Sequence, residues 1–397
     1  MISRDRNEQL PQIAVIGVSG YGRWHLAAAV DQHMRGCAHL HAVVIPNPED
    51  EILVEQWLKR QHVLIYRDYQ IMLEENTGLL DLVMIPTGIP LHTPMTLASL
   101  RAGAHVLVEK PLASSHKEIQ QIKHAEAITG LTVSVGFQDI YGELAARTKS
   151  LLVGGILGPL RRITAVGSWP RDLSYYQRNS WAGRLALDDK KPVLDSPLNN
   201  AFAHFGNLAL YFASEKLGQS ADIKSVCAEM YRSQRIESCD TISLRAQTDD
   251  DVSINLSFTH AANESMEPRL RVEGERGYMI WRNGNRTRWK INESLQPDQR
   301  SEVVHFNRLQ MLDQVLARVK GDDVIVADVS MAEKFADLVI AAHESAVIQE
   351  KDKSDIFTAI RAAWKTGKTF AEQSLPWSVP GYIVQPENLK NIPLYHA

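Results

Sequence analysis

Ile13-Ala14-Val15-Ile16-Gly17-Val18-Ser19-Gly20-Tyr21-Gly22 is the stretch that decides the fold of the first part of the chain. Residues 13–17 are apolar and mostly β-branched, which is typical of a strand buried on both faces of a parallel sheet. A glycine-rich turn follows, and a helical pattern begins at Gly22. This order predicts a phosphate-binding turn, because the N-terminus of a helix offers N–H groups and partial positive charge to an anion.

The turn departs from the G-x-G-x-x-G pattern at its second place, where Ser19 stands instead of glycine. Gly20 lies beside it and provides a residue that can adopt positive φ while the backbone approaches an anion. We therefore expect Gly17, Ser19, Gly20, Tyr21 and Gly22 to bind the pyrophosphate of a dinucleotide.

The residue after the second strand usually distinguishes the nicotinamide dinucleotides, because an acid there binds the adenine ribose. Ile45 occupies this place, so the acid is missing. Asn47 follows shortly and offers an amide instead, and we see no arginine placed for a 2′-phosphate. The sequence therefore leaves the cofactor open between NAD and NADP.

Strands and helices alternate up to about residue 138. The further strands are predicted at residues 39–45, 63–66, 81–86, 105–109 and 132–137, and the helices at 22–33, 49–61, 94–102 and 115–129. Alternation of this kind indicates right-handed βαβ units around a parallel sheet. We predict an α/β, doubly wound Rossmann domain over residues 1–138.

The pattern changes over residues 139–397, where we predict a second, α+β domain for the substrate and for oligomerisation. Two-residue alternation with turns between predicts an antiparallel sheet. Its strands are predicted at 161–169, 223–232, 240–247, 252–260, 269–273 and 278–282, and helices at 142–153, 199–213, 308–319, 331–349 and 355–365. Residues 376–397 are rich in proline and aromatics and are predicted to be an extended, docked segment.

Composition excludes several classes of protein. The chain has 397 residues, 44% of them hydrophobic and 23% charged, with a formal net charge of −4. A nucleic-acid or anionic-membrane surface would need a basic excess. The sequence shows neither a signal peptide nor an apolar run of the ~20 residues that span a bilayer, so we expect a cytoplasmic protein. Its three cysteines lack metal-ligand spacing, so we predict reduced thiols and no metal.

Val106-Leu107-Val108-Glu109-Lys110-Pro111-Leu112 is the most informative stretch for chemistry. Its lysine follows a predicted parallel strand, at the edge where open α/β sheets bind ligands. The ammonium of Lys110 is suited to bind a substrate hydroxyl and to stabilise negative charge that develops on that oxygen.

At this point the chain resembles the Gfo/Idh/MocA family, named after glucose–fructose oxidoreductase and inositol dehydrogenase. The matching pieces stand in the same order: 15–17 with Gly20 and Gly22, 81–83 leading to Thr87 and His92, 102–112, 135–137 and 157–159. The resemblance implies a Rossmann domain plus an open-faced antiparallel sheet domain. It also implies nicotinamide chemistry on sugars or polyols, and homo-oligomers (dimers or tetramers) joined through the open sheet face.

The resemblance assigns roles to single residues of the first domain. The family's Glu-Lys-Pro lysine touches both the cofactor and the substrate hydroxyl, and this role carries over to Lys110. Four further residues match positions that line the cofactor: Thr87, Pro90, His92 and Glu109.

In the second domain the family usually places an aspartate and a histidine four residues apart on one helical face. Here Asn200 and His204 occupy these places. His204 is the better base, since histidine titrates near neutrality, whereas an asparagine orients a hydroxyl without taking its proton. Asp195, just before the predicted helix, is a further candidate for a carboxylate near the substrate.

The loop that precedes this helix is predicted to form a wall of the substrate site. It contains aromatic and basic side chains, of which Tyr176, Arg178, Trp181 and Arg184 are the candidates. Either arginine is suited to bind a carboxylate or a phosphate.

The sequence favours hydride transfer between a nicotinamide and a secondary hydroxyl of a sugar, polyol or sugar derivative. Two alternatives remain at this point. The first is an NAD-assisted glycosidase or epimerase of the same family. The second is a dinucleotide-binding regulator with reduced catalysis, which the departures at Ser19, Ile45 and Asn200 would explain.

Overall fold

The computed structural model describes residues 10–284, 286–296, 299–300 and 307–389. The chain divides into two compact units. The first is built mainly from residues before Gly142, and the second mainly from residues after it.

The first unit contains a six-stranded sheet in the order β3-β2-β1-β4-β5-β6. All of its strand pairs are parallel, as predicted. The strands are β1 (Gln12–Ile16), β2 (His39–Val44), β3 (Leu64–Tyr66), β4 (Leu82–Ile85), β5 (His105–Val108) and β6 (Val133–Val135). The helices between them are α1 (Gly22–Met34), α2 (Ile52–Arg60), α3 (Tyr69–Glu75), α4 (Ile89–Arg101) and α5 (His116–Thr129). The strand order reverses between β1 and β4, which places a ligand crevice at their carboxyl ends.

Two helices of the first unit differ from the prediction. Helix α3 was not predicted; it begins where the side chain of Asp68 accepts hydrogen bonds from Gln70 N (2.7 Å) and Ile71 N (3.2 Å). Helix α4 begins at Ile89 rather than at residue 94. Pro90 lies in the first turn of this helix, where the backbone N–H groups have no partner within the helix, so the missing N–H of proline costs no hydrogen bond. The proline is therefore part of α4 and not of the loop after the strand.

The second unit contains a ten-stranded sheet in the order β14-β13-β12-β11-β7-β10-β9-β8-β16, with β15 paired to β13. Its longer strands are β7 (Leu160–Ser168), β8 (Ile223–Arg232), β9 (Thr241–Thr248), β10 (Ser253–Thr259), β11 (Met266–Gly274), β12 (Gly277–Arg282) and β13 (Arg286–Ile291). The short strands are β14 (Ser294–Leu295), β15 (Gln299–Arg300) and β16 (Ile348–Glu350). The remaining helices are α6 (Glu143–Val153), α7 (Leu173–Tyr176), α8 (Ala203–Ala213), α9 (Asn307–Val319), α10 (Val329–Ser345) and α11 (Ile356–Thr366).

This sheet is mixed rather than wholly antiparallel. Strand β10 runs parallel to β7, and β16 runs parallel to β8. The chain between β7 and β10, and that between β8 and β16, is long and contains both helices and strands. Parallel neighbours require such long connections, because a tight turn can join only antiparallel strands. The helix predicted over 331–349 ends at Ser345, because residues 348–350 form strand β16 and pair with β8 instead.

Helix α8 packs against the sheet and is buried along nearly its whole length. Phe202, which precedes it, stacks on Trp169 and Phe258 with ring centroids 4.8 Å apart in each case. A Cβ at Gly167 would lie 2.5 Å from Cε1 of Phe202, so the ring fits only over a glycine. The start of α8 is thus fixed against the ends of β7 and β10.

Residues 356–384 cover part of the sheet face that was predicted to be open. Val166, Tyr231, Ile360 and Phe370 belong to one buried cluster between α11, the segment after it and the sheet. The carboxylate of Glu229 accepts hydrogen bonds from Ala371 N, Tyr231 Oη and Ser378 Oγ, all at 2.6 Å.

The same segment also covers the edge of β8. Val384 exchanges two backbone hydrogen bonds with Val226, and Gly381 N donates to Ala228 O. The docked segment predicted from residue 376 onward therefore pairs with the sheet as far as 384, while residues 390–397 lie outside the described part. A covered edge protects a sheet from pairing with other chains.

We expect Phe370→Ala to release this cover. The ring is fully buried, so its removal costs about 3–5 kcal/mol of unfolding free energy. Chemical denaturation measures the loss, and limited proteolysis should then cut within residues 370–384. Ile383→Ala is the matched control, because that side chain is 73% exposed and its removal should change stability by less than about 0.5 kcal/mol. Equal effects of the two substitutions would contradict the packing described here.

Residues 307–329 belong to the first unit, which the boundary predicted at 138/139 does not include. Helix α9 packs on α1, where Asp313 Oδ1 accepts hydrogen bonds from Gln32 Nε2 (2.5 Å) and Arg35 Nη2 (2.7 Å). Val135 N then donates to Ala327 O (2.7 Å), so the segment completes the free side of β6. This return is long-range in sequence, and local patterns carry no signal for it.

Among the described residues, no helix combines the length and the apolar character that a membrane span requires. The same residues contain no group of three or more histidine, cysteine, aspartate or glutamate side chains arranged to hold a metal ion. Cys37, Cys227 and Cys239 are unpaired; Cys239 is buried, and the other two are half-buried.

Candidate active site

The glycine turn joins β1 to α1 and leaves its central residues exposed. Gly17 and Gly20 have φ of +91° and +55°, a region that favours glycine. A Cβ at Gly22 would lie 2.4 Å from the carbonyl oxygen of Gly17, so the first and third glycines allow the two backbone segments to touch. Ser19 and Tyr21 lie on the exposed surface of the turn.

The turn and the start of α1 fit a dinucleotide pyrophosphate. Helix α1 has no side-chain cap at its N-terminus and no acidic residue in its first turn. Its N–H groups and its dipole therefore face the turn without a competing negative charge. Tyr21 Oη donates to Gln138 Oε1 (3.0 Å), which holds the aromatic ring of the turn toward the residues after β6.

The side chain of Arg67 reaches the end of β2, which was not predicted. Ile45 is buried and Asn47 is exposed. Arg67, just after β3, donates from Nη1 to Ile45 O (3.1 Å) and from Nη2 to both carboxylate oxygens of Glu55 (2.9 and 2.8 Å). Its position follows from the β2–β3 pairing, which a search for neighbours in sequence does not reveal. Glu55 is shared between Arg67 and Lys59, so it offsets only part of the positive charge at this edge.

Two loops that follow β4 and β5 are joined by His92. Its ring is buried, with Nδ1 2.6 Å from Pro111 O and Nε2 3.0 Å from Thr87 O. Burial lowers the pKa of His92 below its ordinary value. His92 was predicted to line the cofactor, but both ring nitrogens contact backbone carbonyls, so we assign it to the support of Thr87 and Pro111. Thr87 and Pro90 are half-buried beside the crevice.

Lys110 follows β5 and is supported by a buried acid. The Lys110–Pro111 peptide bond is cis, and the lysine side chain is half-buried. Glu109 Oε2 accepts a hydrogen bond from Lys110 N (3.1 Å), and Oε1 lies 2.9 Å from His25 Nε2. Gly136 is needed there, because a Cβ would lie 2.5 Å from Glu109 Oε1.

Glu109 and His25 thus form a buried pair beneath the lysine turn, with side chains 6% and 1% exposed. Glu109 was predicted to line the cofactor; the structure places its carboxylate against His25 instead. The sequence reading missed His25, although a histidine one turn after Gly22 on a helix otherwise rich in alanine is a signal that could have found it.

The helix that was predicted to carry both Asn200 and His204 starts later than expected. Helix α8 begins at Ala203, so His204 lies in its first turn and Asn200 lies in the turn before it. Asn200 N donates to Ser196 O (3.0 Å) and Phe202 N to Pro197 O (2.9 Å), and Phe202 leaves the helical conformation to stack on the sheet. His204 is half-buried.

The carboxylate of Asp195 is hydrogen-bonded to Asn200 and to the backbone of Gly183. Its side chain is buried; Oδ2 accepts from Gly183 N (2.7 Å) and Oδ1 accepts from Asn200 Nδ2 (2.9 Å). The same amide nitrogen lies 3.4 Å from Tyr175 Oη. Asp195 therefore orients the amide of Asn200 and ties the loop at Gly183 to the turn before α8.

The predicted substrate wall separates into two parts. Arg178 stacks on Tyr175, with its guanidinium carbon 3.8 Å from the ring centroid and 5.2 Å from that of Trp181. Tyr176 is buried, and its hydroxyl has no hydrogen-bond partner among the described residues. Arg184 instead bonds to Asp188 Oδ1 (2.6 Å) and lies 3.5 Å from Glu237 Oε2, so its charge is already neutralised.

Arg171 and His260 were not found from the sequence. The guanidinium of Arg171 lies 4.9 Å from the Tyr175 ring, and the ring of His260 stacks on Phe202 at 5.3 Å. Burial lowers the pKa of His260 to about 4, and the charges of Arg171 and Arg178 act in the same direction. Both residues reach this cluster through the parallel pairing of β7 with β10, which the sequence did not predict.

Comparison with known proteins identifies the first part of the chain. Residues 12–137 match the model of the GFO_IDH_MocA family, described as an oxidoreductase family with an NAD-binding Rossmann fold. Over these residues the match agrees with the predicted family and with the predicted NAD-binding Rossmann fold.

A curated relative is the dTDP-3,4-didehydro-2,6-dideoxy-alpha-D-glucose 3-reductase of Streptomyces violaceoruber. It is 30% identical over 97 residues, which make up 24% of this chain and 28% of that enzyme. The match thus spans little more than a quarter of the relative's length.

Solved structures are similar in fold to most of the chain. The WlbA dehydrogenase from Bordetella pertussis, in complex with NADH and UDP-GlcNAcA, has a TM-score of 0.69 at 18% identity and covers 85% of this chain and 96% of its own. Levoglucosan dehydrogenase, in complex with NADH and levoglucosan, has a TM-score of 0.71 at 15% identity and covers 85% and 97%. At these identities the likeness establishes the fold.

Proposed function

We propose, because residues 12–137 belong to the NAD-binding Rossmann fold of the Gfo/Idh/MocA oxidoreductases, that this chain is an NAD(P)-dependent oxidoreductase acting on a secondary hydroxyl of a sugar, polyol or sugar derivative. The observation that supports it most is the glycine cradle. Gly22 lies so close to Gly17 that no Cβ fits between them, and this tight turn lets a pyrophosphate reach the start of α1.

The cofactor, when bound, accepts or donates a hydride at C4 of its nicotinamide. In our proposal Gly17, Ser19, Gly20 and Tyr21 bind the pyrophosphate, and Asn47 binds the adenine ribose. The missing acid at Ile45 would also admit a 2′-phosphate, so NADP stays an alternative to NAD.

We assign the chemistry at the substrate to two side chains. Lys110 would bind the reacting oxygen and stabilise its negative charge, since the Glu109–His25 pair holds the turn that presents it. His204 would take the proton from the hydroxyl, as histidine titrates near neutral pH. Asn200, oriented by Asp195, would donate a hydrogen bond to a neighbouring hydroxyl without exchanging a proton.

Sugar derivatives are the proposed substrates. The curated relative is named as a reductase of a nucleotide-linked sugar, and two proteins of similar fold were solved with UDP-GlcNAcA or levoglucosan. Tyr176 and Trp181 would supply the apolar and aromatic surface on which sugar rings pack.

We further propose a cytoplasmic location and a homo-oligomer. The three unpaired cysteines agree with a reducing compartment. The oligomer, a dimer or tetramer, would use the part of the sheet face that residues 356–384 leave uncovered, on β12 and β13, since Trp364 of α11 lies against Arg269 and Arg271 of β11. Arg282 and Arg286 stand side by side across β12 and β13, so their repulsion would have to be screened in the contact. Light scattering of the purified chain tests this assembly.

Thermal unfolding with NADH and NADPH is the first test of the proposed function. A ligand that binds the folded state raises the melting temperature by mass action, and ligand at 100 times its Kd adds about 2.7 kcal/mol. We expect at least one of the two reduced cofactors to stabilise the chain. Stabilisation by neither would contradict the proposal.

Absorbance of reduced cofactor during incubation with sugars, polyols and glycosides then identifies the reaction. Net oxidation or reduction supports a dehydrogenase. Hydrolysis of a glycoside without net change would favour the NAD-assisted glycosidase instead.

A further inference from the structure

Two guanidinium groups of the second unit contact the same aromatic ring. The guanidinium carbon of Arg178 lies 3.8 Å from the centroid of the Tyr175 ring, and that of Arg171 lies 4.9 Å from it. The two cations are therefore no further apart than the sum of these distances. Like charges at such a separation repel each other, and the repulsion grows where the surroundings are partly shielded from water.

The folded chain fixes both arginines. Arg171 N donates to His260 O (2.9 Å), and the Arg171 carbonyl accepts from Gln234 Nε2 (2.7 Å). Arg178 donates from Nη1 to the carbonyl of Tyr175, at the end of α7. These contacts fix the backbone of Arg171 and the guanidinium of Arg178 before any ligand binds, which lowers the entropy cost of binding one.

Neither arginine has an anionic partner within the part of the chain that the structure describes. Arg171 Nε is shielded from solvent there and has no hydrogen-bond partner. Arg184, by contrast, is a neighbour in the same loop and contacts the carboxylates of Asp188 and Glu237. Arg178 is exposed and Arg171 is half-buried. The solvent-shielded Nε of Arg171 is therefore the feature to explain, because buried polar groups in proteins are normally hydrogen-bonded.

The carboxylate of Asp195 acts on Tyr175 but forms no ion pair with either arginine among the described residues, so it offsets only part of their combined positive charge. Asp195 uses both carboxylate oxygens for Gly183 N and Asn200 Nδ2. Burial lowers the pKa of His260 to about 4, so its ring is neutral near pH 7 and adds no charge of either sign. The cluster thus presents two fixed guanidinium groups next to Tyr175 and Trp181.

We infer that the substrate is an anionic sugar derivative whose carboxylate or phosphate binds to Arg171 and Arg178. Guanidinium groups form charge-assisted hydrogen bonds with either anion, and the aromatic rings suit the apolar face of a sugar. This inference deepens the proposed function and rests on it. It assigns the anion to Arg171 and Arg178, and it removes Arg184 from the proposed substrate contacts because its charge is already satisfied.

Thermal unfolding with matched probes tests the inference. The probes are glucuronate, glucose 1-phosphate and neutral glucose, each added with and without NADH. We expect the anionic probes to raise the melting temperature more than glucose does, and the comparison of the two shows whether carboxylate or phosphate is preferred. Anionic probes that stabilise the chain no more than glucose would overturn the inference.

Single substitutions locate the effect. Arg171→Gln and Arg178→Gln should each weaken binding of the anionic probe by about tenfold or more, since a hydrogen bond to a charged group contributes ~1.5–3 kcal/mol. Arg184→Gln is the matched control and should bind the probe like the unaltered chain. Arg178→Lys should recover part of the affinity, which a merely structural role would not require. Unchanged probe binding in both glutamine variants contradicts the site.

The NADH-only arm separates this inference from the proposed function. If NADH stabilises the chain while the anionic probes do not, the oxidoreductase proposal stands and the anionic substrate class falls. If NADH does not stabilise the chain, the oxidoreductase proposal falls on that result alone.

Discussion

Gly22→Ala should abolish binding of NADH and NADPH. The added Cβ would lie 2.4 Å from the carbonyl oxygen and 3.0 Å from the carbonyl carbon of Gly17, and both are backbone atoms that no rotamer change can move. The turn must open, which removes several amide contacts to the pyrophosphate. Since hydrogen bonds to charged groups contribute ~1.5–3 kcal/mol each, the loss of two lowers affinity by a factor on the order of 100 or more.

Isothermal titration with NADH measures this loss, and thermal unfolding without cofactor shows how much of it comes from the fold. Gly130→Ala is the matched control. Unlike Gly22, Gly130 has positive φ (+70°), and a Cβ there meets nothing within 4 Å. The control should lose about 1 kcal/mol of stability, the usual strain of a left-handed residue, and should keep its NADH affinity. Normal NADH affinity in Gly22→Ala would show that the cofactor does not use this turn.

Lys110→Ala should reduce kcat/KM by a factor on the order of 100 to 1,000 and should weaken NADH binding far less, although the lysine is also expected to touch the cofactor. In our proposal the ammonium stabilises charge that develops on the substrate oxygen, and removal of one such donor typically has this effect. Lys110→Arg keeps the charge but changes its shape, so it should recover only part of the rate. A variant that loses NADH binding and rate together would point to a structural role of the turn.

His204→Gln is the companion variant for the proposed base. Loss of a general base typically lowers the rate by about 10²–10⁴-fold. Full activity in this variant would remove His204 from the mechanism.

The first unit was predictable because its signals are local. Each strand of the parallel sheet is a short apolar run with turn residues after it, as at Ile13 to Gly17 and at Val106 to Lys110. Periodicity and turn chemistry act within a few residues, so the sequence displays them directly. The glycine turn and the lysine turn were located for the same reason.

The second unit was harder because its site depends on long-range pairing. Arg171 and His260 come together only through the parallel alignment of β7 with β10, and no local pattern specifies that direction. Asn200 and His204 have helical spacing, yet the stacking of Phe202 on Phe258 delays the helix until Ala203. In both cases tertiary packing overrides the local preference of the chain.

Residues 307–329 belong to the first unit but are synthesised after residues 142–304 of the second unit, so the first unit is completed late in synthesis. The partners of Gln32, Arg35 and Val135 leave the ribosome only after most of the second unit has been made. The nucleotide-binding half therefore cannot mature as an independent early product, as domains that fold in order of synthesis do. A gene fragment that ends at residue 138 should yield a chain with an incomplete surface along α1 and β6.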